Sequence, residues 1–283
     1  MSKFNDIFEA AKEGTVEDLR YFIEEKGVDV NSKRDLPPEL KGFTPLHMVA
    51  ANGVIRPLDI WQYLIDKGAD VKAKNKSGFT PLHFAAMCGL FPVFELLISH
   101  GSDVNAKTDD GSTVLHMACS SPRSDDELTV KTLQTLISLG ADINAENEGG
   151  KTSLHFAARS NKGQGVIKYL LSEGANVNAR DAAGMTPLHD ATIENPSEET
   201  ISCLISNGAD VNAKTTDAGF TPLDFAILNK DVVAERVIRA AGGHRKDSSG
   251  SGSGGCLVFF AALGTLLTSG ICALAFAITG FLR

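Results

Sequence analysis

Paired large aliphatic residues return along the chain at nearly even intervals: Leu64/Ile65, Leu97/Ile98, Leu136/Ile137, Leu170/Leu171 and Leu204/Ile205. A glycine follows each pair three residues later, at Gly68, Gly101, Gly140, Gly174 or Gly208. The pattern predicts a helix with one apolar stripe, ended by a residue that takes the left-handed conformation without steric cost. Upstream of each such helix lies another apolar stretch that opens, in most copies, on Thr-Pro and runs into small residues such as Ala85-Ala86 and Ala157-Ala158. Proline suits the first turn of a helix, where its missing N–H has no partner to lose. The small residues permit close helix approach. The predicted unit is therefore helix, connection, helix, glycine stop and turn, the turn exemplified by Ala209-Asp210-Val211-Asn212-Ala213-Lys214.

Six segments begin with one phrase. They are Gly42-Phe43-Thr44-Pro45-Leu46-His47, Gly78-Phe79-Thr80-Pro81-Leu82-His83, Gly111-Ser112-Thr113-Val114-Leu115-His116, Gly150-Lys151-Thr152-Ser153-Leu154-His155, Gly184-Met185-Thr186-Pro187-Leu188-His189 and Gly219-Phe220-Thr221-Pro222-Leu223-Asp224. Their glycines step by 36, 33, 39, 34 and 35 residues. A unit near 33 residues carrying T-P-L-H resembles the ankyrin repeat family over about residues 4–244. The resemblance implies an all-α solenoid of helix-turn-helix repeats with β-turn or hairpin tips, in which each unit buries its apolar face against its neighbours. It also implies that Thr44, His47, Thr80, His83, Thr113, His116, Thr152, His155, Thr186 and His189 knit the turns to adjacent backbone. In that family the turns and first helices line a concave groove that binds proteins.

Departures from the pattern fall at the ends and in two loops. Residues 4–31 form an opening unit without the phrase, where Thr15 and Asp18 have the spacing of a helix start. A long loop with Pro37 and Pro38 precedes Gly42, and extra residues at 120–127 contain Ser124 and Glu127, spaced as a capping box. Asp224 replaces histidine in the last copy, and the pattern dissolves at Gly242-Gly243. The expected layout is a capping repeat and long turn over 1–41, six repeats over 42–246, a Gly/Ser linker over 247–255 and a transmembrane helix over 256–283.

That last segment changes the picture most. No residue from Cys256 to Leu282 is charged, and 13 of the 26 residues from Leu257 to Leu282 are Leu, Ile, Phe or Val. At about −0.3 to −0.6 kcal/mol each, these favour insertion by roughly −4 to −8 kcal/mol before the Gly, Ser and Thr penalties. As a helix the stretch measures about 39 Å, enough for one crossing of a ~30 Å hydrocarbon core and too short for two. The linker spans roughly 17 Å as a flexible coil. Arg239, Arg245 and Lys246 precede the span and Arg283 follows it, which puts the repeats on the cytoplasmic side. Ala261, Thr265, Ser269, Ala273 and Ala277 form a stripe of small residues suited to self-association. No basic patch followed by an apolar run marks a signal peptide at the N-terminus.

Charge and chemistry narrow the function. The 283 residues carry a net charge of −8, which disfavours a polyanionic nucleic-acid partner. The five cysteines include no C-x-x-C pair, which argues against a zinc site or disulfide framework and suits a reducing compartment. The repeated histidines sit one repeat apart, about 8–10 Å, too far to share an ion whose ligands lie near 2 Å. The single G-x-G, at Gly163-Gln164-Gly165, lacks the rest of a dinucleotide fingerprint. No catalytic residues, metal or cofactor are expected. Phe43, Phe79, Met87 and Arg159 stand where the repeat grammar leaves a free choice, and they are the expected contributors to a partner-binding groove. The reading is a membrane-tethered adaptor that binds a protein on its concave face. The alternative is an oligomerising, bilayer-perturbing tail regulated by the repeats, with a bacterial effector as one setting for it.

Overall fold

The computed structural model describes residues 2–35, 37–53, 56–121, 126–160, 163–193 and 197–246. The expected linker, transmembrane helix and small-residue stripe lie outside these residues, as does Ser124 of the expected capping box. Among the described residues no helix is long and apolar enough to cross a membrane. They are helical, with an isolated bridge between Lys107 and Thr113 at one turn.

Two compact units divide the chain, one spanning Met1–Asp142 and the other beginning at Ile143. The first contains α1 (Ile7–Glu13), α2 (Val16–Arg20), α3 (Pro45–Ala51), α4 (Leu58–Asp66), α5 (Pro81–Met87), α6 (Phe94–Ser99), α7 (Val114–Ser120) and α8 (Asp126–Ser138). The second contains α9 (Ser153–Arg159), α10 (Gln164–Ser172), α11 (Pro187–Asp190), α12 (Glu198–Ser206), α13 (Pro222–Leu228) and α14 (Val232–Ala240). Helix α2 continues into a wider π turn at Tyr21–Glu25. Most of these helices are too short to persist alone in water, so packing between repeats must hold them. In the first unit α1 packs on α3, α3 on α5 and α5 on α7; in the second α9 packs on α11, α10 on α12 and α12 on α14.

The core is built from positions that recur. The leucine of each opening phrase (Leu46, Leu82, Leu115, Leu154, Leu188 and Leu223) is buried, and so is the first member of each aliphatic pair. The second member is only half-buried. Three residues before Leu64, Leu97, Leu136, Leu170 and Leu204 stand Trp61, Phe94, Leu133, Ile167 and Ile201, all fully buried. This i, i+3 stripe is the core-facing edge of each second helix. The glycines that stop these helices have φ between 88° and 99°, a region that penalises a β-carbon.

One recurrent contact is absent from the sequence reading. In the turn after each stop, Asn31, Asn105, Asn144, Asn178 and Asn212 reach the following repeat with both ends of the amide. Asn178 Nδ2 donates to the Gly208 carbonyl at 2.9 Å, while its Oδ1 accepts from the Asp210 N–H at 2.8 Å. Asn31 does the same to Gly68 and Asp70, and Asn105 to Gly140 and Asp142. Each clamp satisfies a carbonyl left open where a helix ends. Position 72 breaks the series, because lysine stands where asparagine would be. Its following repeat carries Ser102 where four of the others have alanine, and Ser102 Oγ donates back to the Val71 carbonyl at 3.1 Å. One hydrogen bond thus replaces two.

Restoring the missing clamp should stabilise this seam. A Lys72→Asn variant is expected to gain about 1 kcal/mol, seen as a rise of about 2–4 °C in melting temperature. Asn178→Ala should lower it by a similar amount. An unchanged or lower melting temperature for Lys72→Asn would show that Ser102 already closes the seam.

Candidate functional site

The first helices start on a reciprocal cap. The Thr44 N–H donates to His47 Nδ1 at 3.1 Å, and the threonine hydroxyl caps the histidine backbone N–H in return. The same box opens α5, α7, α9 and α11 through Thr80/His83, Thr113/His116, Thr152/His155 and Thr186/His189. Because Nδ1 accepts, the proton of the neutral ring sits on Nε2. That N–H donates to a backbone carbonyl in the turn region further along the chain: His47 to Phe79 at 3.0 Å, His83 to Ala106 at 3.1 Å, His155 to Met185 at 3.2 Å and His189 to Phe220 at 3.2 Å. Each of these four imidazoles therefore caps its own helix with one nitrogen and ties down a turn with the other. Among the described residues no group of three or more His, Cys, Asp or Glu is placed to hold a metal ion.

Burial keeps these rings neutral. It lowers the pKa of His47, His83 and His189 to about 4, against an ordinary value of 6.5. As pH falls below 6.5 the unfolded chain takes up protons first, so the stability present above 6.5 is lost progressively down to about 4. Each buried histidine contributes about 1.4 kcal/mol of loss per pH unit in that window. The melting temperature should therefore fall steeply between pH 7 and pH 5. A flat profile over that range would contradict the burial of these rings in neutral form.

The residues expected at a partner-binding groove are placed otherwise. Phe43, Phe79 and Met87 are core residues, at 0%, 5% and 8% exposure. Phe43 packs at a tilt on Phe84 of the next repeat with ring centroids 4.9 Å apart, and Phe79 lies 5.4 Å from the same ring. The cause lies in the backbone. The Phe79 carbonyl accepts from the Asn75 N–H and from His47, and the Phe79 N–H donates to Asn75 Oδ1. With both peptide groups held in the turn, the side chain faces the seam and not solvent. Of the four residues only Arg159 remains partly accessible.

In the second unit the same seam position is ionic. Lys151 and Asp190 occupy the places that Phe43 and Phe84 hold in the first unit, and Lys151 Nζ lies 2.9 Å and 2.7 Å from the two Asp190 oxygens. Asp181 Oδ2 is 3.3 Å from the same ammonium. Asp190 is fully buried. Burial alone would raise its pKa, but the Lys151 ammonium beside it and Arg159 outweigh that and hold the carboxyl below its ordinary value. Removing one member strands a buried charge, whereas an apolar pair of similar volume does not. Asp190→Ala should cost about 3 kcal/mol in chemical unfolding. Lys151→Met combined with Asp190→Phe should recover most of that loss. Equal stability of the single variant and the parent would show that the pair is solvated.

In the repeat that opens at Gly219, Asp224 stands in the place of the histidine. Asp224 Oδ2 accepts from the Thr221 N–H and the Lys246 N–H, both at 3.0 Å, and Oδ1 accepts from Arg245 Nε at 3.3 Å. The Lys246 ammonium sits 3.8 Å from the centre of the Phe220 ring. Asp224 thus accepts N–H groups from residues 245 and 246, while the His244 carbonyl accepts from the Thr221 hydroxyl at 2.9 Å. Residues 244–246 are consequently held against the repeat, although the repeat phrase dissolves at Gly242-Gly243.

A family model for ankyrin repeats in three copies matches residues 7–108, 105–181 and 163–242. Among characterised proteins, Alpha-latrocrustotoxin-Lt1a of Latrodectus tredecimguttatus is 37% identical over 79 residues, 28% of this chain and 5% of that protein. Alpha-latroinsectotoxin-Lt1a of the same organism is 36% identical over 79 residues, with the same two shares. The likeness is thus to a short stretch of two much longer proteins.

Proposed function

The chain belongs to the ankyrin repeat family, and from that premise we propose that it is a non-catalytic adaptor, tethered to a membrane, that brings a protein partner to the membrane surface. Repeats of this kind support protein–protein interaction. The observation that carries the reading is how the chemically versatile side chains are used. The buried histidines are bound to a threonine and a backbone carbonyl, and Asp190 is bound to a lysine, so these groups hold seams instead of meeting at a reaction centre. What remains for recognition is the exposed edge of the turns, a surface that stacked repeats offer in series.

The tethering half rests on the uncharged stretch from Cys256 to Leu282 and the basic residues that precede it. In this reading the repeats face the cytoplasm, and the stripe from Ala261 to Ala277 pairs two copies within the bilayer. Such pairing displays the repeats in duplicate and raises avidity for a partner. The absence of charged groups from the stretch argues against a conducting path.

Proximity labelling with the full chain and with a chain ending at Gly255 separates the two halves. Both chains should label the same soluble partners, and only the full chain should label membrane proteins. Identical membrane labelling by the two would refute tethering, and the absence of any reproducible partner would refute the adaptor.

A further inference from the structure

The turns of the first unit carry an unusual set of cations for an acidic chain. Lys33 and Lys41 stand on the turn that precedes α3, and Lys72, Lys74 and Lys76 on the turn that precedes α5. All five are exposed. Along the second of these turns Val71, Ala73 and Asn75 are buried, so the alternating lysines are the residues left facing water. The ion pairs of the first unit involve Lys12, Arg20, Arg34, Lys67 and Lys131 instead. The five turn lysines have no carboxylate within ion-pair distance among the described residues.

The two turns touch, which makes their charges one feature. The Lys76 N–H donates to the Lys41 carbonyl at 3.2 Å, and a β-carbon on Gly42 would lie 2.9 Å from the Lys76 nitrogen. Lys74 Nζ donates to the Lys107 carbonyl at 2.8 Å, so its ammonium is held along the row of turns. That leaves it two unused donors on a partly immobilised stem, which lowers the entropy lost on binding. The whole chain, by contrast, carries a net charge of −8.

We propose that these two turns form a cationic edge that docks a short acidic segment of a partner protein, with Lys41, Lys74 and Lys76 as its main contacts. This deepens the adaptor reading and rests on it. The chemistry selects a polypeptide over other polyanions because Asp35, Glu39, Asp70 and Asp109 are exposed among or beside the lysines. A nucleic-acid strand or an anionic bilayer presents continuous negative charge and would meet those carboxylates. A peptide places its carboxylates at discrete positions and can match the lysines while avoiding the acids.

Fluorescence anisotropy with the full chain in neutral detergent micelles tests this, using a labelled short peptide of alternating Glu and Ser. A Gly/Ser peptide, a single-stranded oligonucleotide and phosphatidylserine vesicles serve as competitors. The Glu peptide should bind, weaken with added salt, and lose at least about tenfold in affinity in a Lys74→Glu/Lys76→Glu variant. A Lys131→Glu variant on α8 should bind as the parent does, and unchanged melting temperatures should show that both variants fold. Binding that ignores the Lys74/Lys76 reversal, no binding, or stronger competition by oligonucleotide or vesicles overturns the proposal. In those cases reproducible proximity labelling of a soluble partner would leave the adaptor reading standing, whereas its absence would remove both.

Discussion

The neutral imidazole shared between repeats is the contact on which the rest of this structure depends. One nitrogen must accept to cap the first helix, and the other must donate to hold the next turn. Only a ring with a single proton does both. Protonation would put a second N–H against the threonine N–H at 3.1 Å from His47 Nδ1, cancelling the cap and charging a buried site at once. The short first helices have little stability of their own. Their N-terminal caps and their seams are therefore one interaction seen from two sides.

Around that constant element each seam is closed by different chemistry. A tilted aromatic contact joins Phe43 to Phe84, an asparagine amide bridges most turns, and Ser102 compensates where Lys72 interrupts the series. Lys151 and Asp190 put an ion pair where the first unit has rings. In the repeat that opens at Gly219, Asp224 accepts N–H groups from residues 245 and 246. Such variation gives each seam its own complement. An ion pair in place of packed rings is poorly matched to any other seam, which opposes pairing of repeats out of order.

This division of labour bears on function. The residues with the richest chemistry are the ones consumed in holding the fold. The aromatic and methionine side chains that sequence places at variable positions are consumed as well. In the proposed adaptor, recognition falls to the exposed turn edges and their lysines. For a surface of that kind, charge and shape set affinity, which follows ionic strength more than that of a buried aromatic anchor does.

Helix starts, glycine stops and the repeat period were legible in the chain because they are local. A threonine caps an N–H three residues away, and a glycine accepts a positive φ wherever it stands. The asparagine clamp was equally periodic in the turns, and its recurrence was the signal that could have exposed it. What the chain alone did not determine was which variable positions face water. Phe43 is buried because Phe84, 41 residues on, lies beneath it, and Asp190 is tolerable in the core because Lys151, 39 residues before it, lies within 3 Å. Burial is a property of the pair across a seam, so only the tertiary structure decided it.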